Sequence, residues 1–404
     1  MTEPSAALGA GRRARLAQGL GLDRNTTAVA GAMFLMGLGE ELWKRFIPKY
    51  LASLGAPVLA IGLYGTTEDL LDGLYQYPGG WVADRYGRRR ALLLFVTLAA
   101  AGYACFWAAP SWPWIFAGQA LAMAWTSMAS PTLFAVVGDA LPKGRRSVGF
   151  AVQSVVRRLP VAVAPALGGL AIAAYGLRAG IRTGLVVAMV LAAVTIVVVS
   201  SVRLPVIREE TASGVRGVWG SFPARLRRLL ACDILVRTCE GMVDVFVVLY
   251  ALDVVGISAP RFGLLVTVQM VTAILSYFVG ARIATRFGQG TAVTLTFIAF
   301  TLYPLAVALA GSFAGLAAAA VVGGLREIGE PARKAMIVDF AEPHLRARTV
   351  GLYYLVRSLT ITPAAAVGGL LWKVEPQAPF ITAGIIGIIG TIVFAATVEE
   401  RYAS

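Results

Sequence analysis

Of 404 residues, 58% are hydrophobic and 14% charged, with a mean hydropathy of +0.73. A water-soluble globular domain carries roughly a quarter of its residues charged, so that class is excluded and lipid is the expected solvent. The formal net charge of +14 does not point to nucleic acid in so apolar a chain, because basic residues then gather in the loops that stay inside the cell.

Residues 1–26 carry Arg12, Arg13 and Arg15 but no apolar stretch of signal-peptide length, and read as a cytoplasmic N-terminal segment rather than a cleaved leader. A bilayer core needs roughly 20 apolar residues of helix. The stretches 91–109, 185–202 and 292–310 supply that length without a charge. Apolar stretches set against turn and charge signals predict spans near 27–54, 57–83, 90–109, 112–140, 146–175, 179–202, 229–253, 258–284, 291–310, 313–340, 347–372 and 379–398. Loops on one side hold Arg85, Arg88, Arg89 and Arg90, then Lys143, Arg145 and Arg146, then Arg286, then Arg346 and Arg348. The loops at 55–56, 110–111 and 311–312 hold no Lys or Arg. This asymmetry puts both termini in the cytoplasm of a multi-pass protein of the cytoplasmic (inner) membrane.

Between spans 6 and 7, residues 203–228 are rich in Arg, Gly and Pro and include Val218, Trp219, Phe222 and Leu226. They read as a cytoplasmic linker with a short amphipathic helix on anionic headgroups. The linker separates an N-terminal six-helix bundle, 27–202, from a C-terminal one, 229–398, with 399–404 as a cytoplasmic tail. Three cysteines (Cys105, Cys232, Cys239) lie inside apolar stretches, and the single histidine, His344, falls in a loop. No disulfide framework, metal site or histidine-based catalytic centre is expected from them, and no cofactor.

A shift of 200 residues places Asp139 on Asp339, Arg146 on Arg346, Arg157 on Arg357 and Gly168-Gly169-Leu170 on Gly368-Gly369-Leu370. It also registers Glu40 with Glu240, Tyr50 with Tyr250, Gly80 with Gly280 and Pro131 with Pro331. Intramembrane Arg and Glu are scarce, so their registration carries the inference of two parallel repeats. The expected fold class is an all-α membrane protein of about twelve transmembrane helices in two pseudo-symmetric six-helix bundles.

The loop between spans 2 and 3 reads Gly80-Trp81-Val82-Ala83-Asp84-Arg85-Tyr86-Gly87-Arg88-Arg89. It resembles the signature Gly-x-x-x-Asp-Arg-x-Gly-Arg-Arg/Lys of major facilitator superfamily (MFS) transporters, and the resemblance extends over nearly the whole chain. A degenerate copy at 280–288 keeps Arg286-Phe287-Gly288 but has Ala284 in place of the acid. The resemblance implies a latch for the outward-facing state, built on Gly80, Asp84, Arg85, Gly87, Arg88 and Arg89; a basic topogenic loop is the competing reading. Span 5 carries Ala164-Pro165-Ala166-Leu167-Gly168-Gly169. This is similar to a Gly-Pro-x-x-Gly-Gly motif of proton-coupled antiporters in the superfamily, with Ala164 replacing the first glycine. Pro165, Gly168 and Gly169 read either as a bending point or as a small-residue packing interface. Drug exporters of the superfamily carry an Arg in span 4, where Gly118 stands here.

An ionisable group at the bilayer centre costs roughly 2.5–3.5 kcal/mol on insertion scales, so it faces a partner or a wet cavity. Span 1 holds Glu40, Glu41, Lys44 and Arg45, spaced so that Glu40 pairs with Lys44 and Glu41 with Arg45 one turn on. Span 2 holds Glu68, Asp69 and Asp72; Glu68 and Asp72 share a face, followed by Tyr75, and repel unless a proton or cation intervenes. Span 7 carries Asp233, Arg237, Glu240 and Asp244, and span 10 carries Arg326, Glu327, Glu330, Arg333 and Lys334. The resemblance implies a cavity lined by spans 1, 4, 7 and 10. Glu40, Glu240, Glu327, Glu330, Tyr50 and Tyr250 are then candidate ligand contacts, and Glu40, Glu68, Asp72, Glu240 and Asp244 candidate proton carriers. A structural ion-pair network is the competing reading for the charged ones. Arg157 and Arg357, midway along spans 5 and 11, present permanently charged planar forks and read as an organic-anion clamp. Alternatively, they neutralise buried acids such as Glu40 and Glu240, while Arg158 points elsewhere.

The expected function is proton-coupled secondary transport of a small solute by alternating access, leaning towards efflux by antiport. The alternative is a proton-coupled importer or exchanger of an organic anion held by Arg157 and Arg357. A monomer in the bilayer, with a small-molecule substrate and protons and without nucleic acid, is the expected assembly. No Gly-x-x-x-x-Gly-Lys-Ser/Thr run points to an ATP-driven pump, and no nucleophile with a base points to an intramembrane enzyme.

Overall fold

The computed structural model describes residues 24–129, 132–133, 146–202, 219–220, 222–340 and 346–397, and every regular element among them is helical. Span 1 is not one rod: it runs as α1 (Arg24–Glu41), a tight turn at Lys44–Phe46, and α2 (Ile47–Ser53). Pro48 sits in the first turn of α2; it has no N–H for the Lys44 carbonyl, and the ladder breaks there. Spans 2 and 3 are α3 (Val58–Tyr86) and α4 (Arg88–Ala108). Span 4 is described as α5 (Pro113–Met123) and a wide turn at Ala124–Met128, where the Ala129 N–H reaches back to the Ala124 carbonyl. Spans 5 and 6 are α6 (Arg146–Tyr175) and α7 (Leu177–Ser200).

In the second half, α8 (Ala224–Leu249) ends in a wide turn at Tyr250–Val254 and is followed by α9 (Ala259–Phe287) and α10 (Gln289–Ala308). Span 10 splits into α11 (Phe313–Leu325) and α12 (Glu330–Phe340), and span 11 into α13 (Arg346–Ile361) and α14 (Ala364–Trp372). Pro331 and Pro363 follow these breaks closely and cannot donate to the carbonyls four residues back. Span 12 is α15 (Ala378–Thr397).

The reading of 203–228 as one linker needs correction at its end, since α8 already begins at Ala224. Phe222 and Leu226 are buried against Leu229, Leu230 and Phe297 in the core of the second half, while Trp219 is exposed. Residues 203–218 and the two terminal segments, 1–23 and 398–404, lie outside the described residues, as do Asp139, Pro131 and the side chains of Asp84 and Arg346.

The 200-residue repeat governs how the spans touch. A Cβ on Gly168 would overlap the carbonyl oxygen of Leu42, and a Cβ on Gly368 that of Met242. A Cβ on Gly169 would press on Ala259, and one on Gly369 would meet Leu59. All four pairs obey the same shift. Span 5 therefore packs on span 1 of its own half and on span 8 of the other, and span 11 on spans 7 and 2. The most extensive contacts between halves follow these seams, 5 with 8 and 2 with 11. The turns after Tyr86 and Phe287 both need a positive φ, 86° at Gly87 and 94° at Gly288, which only glycine adopts without strain.

Among the described residues, seven segments are long and apolar enough to cross a membrane. They belong to spans 3, 5, 6, 8, 9, 11 and 12. Spans 1, 2, 7 and 10 carry several charges or are broken in mid-course, and span 4 is described only in part. Leu170, Val190, Val197, Leu275, Phe278 and Ile392 are exposed on the long apolar helices, as a lipid-facing surface requires. The bundle end that carries Arg85, Arg88, Arg89 and Arg286 is called the basic end below. The opposite end is not free of cations: Lys49, Arg178, Arg261 and Lys373 lie near it, so the charge asymmetry is weaker than its loops at 55–56, 110–111 and 311–312 suggest.

Gly168→Val should lower thermal stability by about 1–3 kcal/mol or prevent insertion, as overpacking of a close seam does. Gly31→Ala, where a Cβ meets nothing within 4 Å, should leave the melting temperature in detergent unchanged.

Candidate functional site

The breaks in spans 1, 4 and 10 bring their polar residues to the middle of the bundle. Lys44 Nζ, in the turn of span 1, lies 3.1 Å from Glu40 Oε1 and 3.1 Å from Glu68 Oε1. One ammonium thus serves two carboxylates, from spans 1 and 2. Thr126, in the wide turn of span 4, donates to both Glu40 oxygens at 3.1 and 3.0 Å, and Ser127 donates to Asp72 at 2.7 Å. Arg45 lies 3.4 Å from Glu41 and reaches across to Asp244 of the other half at 3.8 Å. The expected Glu40–Lys44 and Glu41–Arg45 spacings are thus real contacts, although they cross a helix break rather than run along a rod.

The second half holds a denser network. Arg333, 1% exposed, contacts fully buried Asp233 at 2.6 Å and Glu330 at 2.6 Å. Arg237 contacts Glu240 at 2.8 Å and Glu330 at 2.8 Å, and Arg326 contacts Glu240 at 3.1 Å. Tyr353 donates to Asp233 at 3.1 Å. Arg357 lies 3.5 Å from the same carboxylate with its guanidinium 4.7 Å from the Tyr354 ring centre. Positions 40 with 126 and 240 with 326 are repeat mates in contact, but the partner is Thr in one half and Arg in the other.

The two arginines of the expected clamp are therefore not equivalent. Arg357 is committed to Asp233, which was not the acid anticipated for it. Arg157 is exposed and, among the described residues, has neither ion pair nor hydrogen bond; it lines a cavity with Glu40, Glu41, Lys44, Thr126 and Val161. Tyr50 and Tyr250 do not reach the cavities, a correction to their reading as ligand contacts. Both are buried in the apolar core, where Tyr250 donates to the Ala308 carbonyl at 3.0 Å and packs on Phe380. Glu330 is held between Arg333 and Arg237 and is almost closed off. Of the signature loop, Arg85 stands over the Trp81 and Tyr86 rings at 5.6 and 5.9 Å, Arg89 is exposed, and Gly80 lies outside the described side chains.

Sequence reasoning missed the contacts that join the halves. Arg158 donates to Tyr277 and to Glu327, the latter at 2.9 Å, linking span 5 to spans 8 and 10. Lys49 pairs with Asp253 at the end opposite the basic one. The adjacency of Arg158 to the repeat-matched Arg157 was the available signal, since two neighbouring arginines on a helix must serve different faces. A second cavity, nearer that opposite end, is lined by Lys44, Arg45, Glu68, Asp244, Gln269 and Tyr303 with apolar residues of spans 7, 8, 9 and 10. Lys44 belongs to both cavities.

The profile described as Major Facilitator Superfamily matches residues 29–232 and again 229–404. The chain belongs to the Major Facilitator Superfamily. An uncharacterised MFS-type transporter of Methanocaldococcus jannaschii is 19% identical over 383 residues, 91% of this chain and 93% of that protein. Quinolone resistance protein NorA of Staphylococcus aureus is 22% identical over 161 residues, 40% of this chain and 41% of NorA. The solved structure of the nucleoside transporter NupG superposes with a TM-score of 0.78 at 12% identity, over 93% of this chain and all of NupG. The protein is thus an MFS membrane transporter and not an enzyme, with two pseudo-symmetric bundles.

Removing one partner of a buried ion pair leaves the other uncompensated and costs about 3–5 kcal/mol. Arg333→Gln should therefore destabilise this MFS protein severely, read as a lower melting temperature in detergent. Exposed Lys334→Gln, whose Glu330 contact is 3.7 Å, should not.

Proposed function

We propose that the protein is a proton-coupled MFS transporter that exchanges an outgoing small solute for incoming protons by alternating access. The carrying observation is a shortage of cations beside the acids at the centre of spans 1 and 2. Among the described residues, the five acids Glu40, Glu41, Glu68, Asp69 and Asp72 of spans 1 and 2 have two ion-pairing cations, Lys44 and Arg45, and Arg157 on the same cavity as Glu40, because Arg158 is committed to Glu327. Arg45 is further shared with Asp244. Carboxylates in an apolar span are neutralised by a cation or by a proton, and this excess gives protons a place to travel. Glu40, Glu68, Asp72 and Asp244 are the proposed carriers. Glu240, set between Arg237 and Arg326, is proposed to tune them.

Contacts between the halves on both sides of the centre support the rocking step. Arg158–Glu327 lies towards the basic end, and Arg45–Asp244 and Lys49–Asp253 towards the other. Breaking either set while keeping the other opens one mouth at a time. The basic end is proposed to face the cytoplasm, with the loop at Gly87 and Asp84 latching the outward-facing state, in the cytoplasmic membrane and as a monomer. The outward direction is supported by likeness to a protein named for quinolone resistance and by the Pro165, Gly168 and Gly169 motif. A second reading, transport of an organic anion, is favoured by Arg157 alone, which has no ion pair among the described residues.

Purified protein in proteoliposomes bearing a pH gradient should release protons when offered a substrate from panels of organic cations and anions. Glu68→Gln and Asp72→Asn should abolish the proton signal while leaving solute exchange. A proton signal untouched by both, or none with any compound, would contradict the coupling. Loss of an anion response in Arg157→Gln would establish the second reading.

A further inference from the structure

Asp244 stands apart from the other acids of the network. Its side chain is 52% exposed, against 0% for Asp233, 10% for Glu330 and 31% for Glu240. Its sole ion pair among the described residues is the 3.8 Å approach of Arg45 Nη1. That arginine has a closer carboxylate of its own half, Glu41, at 3.4 Å. The exposure is not to bulk water at a loop, since Asp244 lines the cavity shared by the two halves.

Apart from Lys44, Arg45, Glu68 and the polar tips of Tyr64, Gln269 and Tyr303, the rest of that cavity's lining is apolar. Val247, Val248, Leu265, Val266, Leu316 and Ala319 are among its walls. The other acid there, Glu68, is already matched to Lys44 at 3.1 Å. A carboxylate with a loosely held partner at the edge of a large apolar wall recognises a ligand with one positive group and a greasy body. An anion would have to take Arg45 from two carboxylates at once, and Lys44 from two others.

We propose that this cavity binds amphipathic organic cations, with the ligand's positive group replacing Arg45 at Asp244. Arg45 then stays with Glu41, so no charge is left alone. Because the Arg45–Asp244 contact joins the halves, occupancy by the ligand removes one of the links that close the end opposite the basic one. This deepens the transport reading above and depends on it for its role in the cycle, while binding itself needs no proton gradient.

The test is equilibrium binding to the full chain in nanodiscs, without a gradient, of two ions of the same shape and opposite charge, tetraphenylphosphonium and tetraphenylborate. Background is measured on empty nanodiscs. Tetraphenylphosphonium should bind saturably and the borate should not. Asp244→Asn should weaken the cation by roughly tenfold or more, because the ligand's positive group would lose its counter-charge inside the cavity, and Asp244→Glu should retain it. Arg45→Gln should tighten it by roughly two- to fivefold, the worth of a loose ion pair. Preference for the borate, indifference to Asp244→Asn, or weaker cation binding in Arg45→Gln would each overturn the proposal. Cation binding that needs Asp244 without any proton movement in energised liposomes would uphold this site and remove the coupling. Proton movement with other compounds, and no phosphonium binding, would remove this site alone.

Discussion

A charge in lipid must find a counter-charge, and most of what is distinctive in this molecule follows from that constraint. Asp233 could not sit fully buried in span 7 without Arg333, Arg357 and Tyr353 around it. Arg333 in turn needs Glu330, and Glu330 needs Arg237. The chain of contacts ties spans 7, 10 and 11 into one unit. Buried pairs of this kind gain little net stability, but removing one member is severe. Their effect is to fix how the helices of the second half stand relative to each other.

The repeat gives the two halves one scaffold and different chemistry. Gly168 on Leu42 and Gly368 on Met242 show the same backbone approach at the same register. Yet position 126 is Thr where 326 is Arg, 133 is Leu where 333 is Arg, and 158 is Arg where 358 is Ser. At the centre of the bundle, Arg237, Arg326, Arg333 and Arg357 accompany the acids of the second half, whereas the acids of spans 1 and 2 outnumber the cations beside them. We read the second half as the more rigid partner, and the first half, together with Asp244, as the part whose charge changes during the cycle. Lys44, touching both cavities and two carboxylates, stands where those changes would be felt.

Much of this was legible in the sequence, and for identifiable reasons. Hydropathy and loop charge yield the spans because lipid admits only saturated helices. The 200-residue registration of Glu, Arg and paired glycines yields the two halves, since such residues are rare in spans. Breaks within spans 1, 10 and 11 were not foreseen; Pro48, Pro331 and Pro363 were visible, but proline kinks as often as it breaks a helix whose neighbours re-satisfy its carbonyls. Partner choice was legible only within a helix. Glu40 with Lys44 lies one turn apart, whereas Arg357 with Asp233 and Arg158 with Glu327 depend on tertiary packing that periodicity does not encode. Tyr50 and Tyr250 were misplaced because a repeat match identifies equivalent positions, not which side of a helix faces the cavity. Spans 1, 2, 7 and 10 read less plainly as apolar spans because they carry the intramembrane charges that build the site.

The most direct test of the account is the distance between the halves at each mouth, measured by pulsed electron paramagnetic resonance in nanodiscs across a range of pH. One spin-label pair would sit at Ala56 and Val254 at the end opposite the basic one, and a second at Arg89 and Thr285 at the basic end. The account predicts two populations for each pair, exchanging with pH, one pair lengthening as the other shortens. A single separation at both ends, unchanged by pH and by added organic cation, would contradict it.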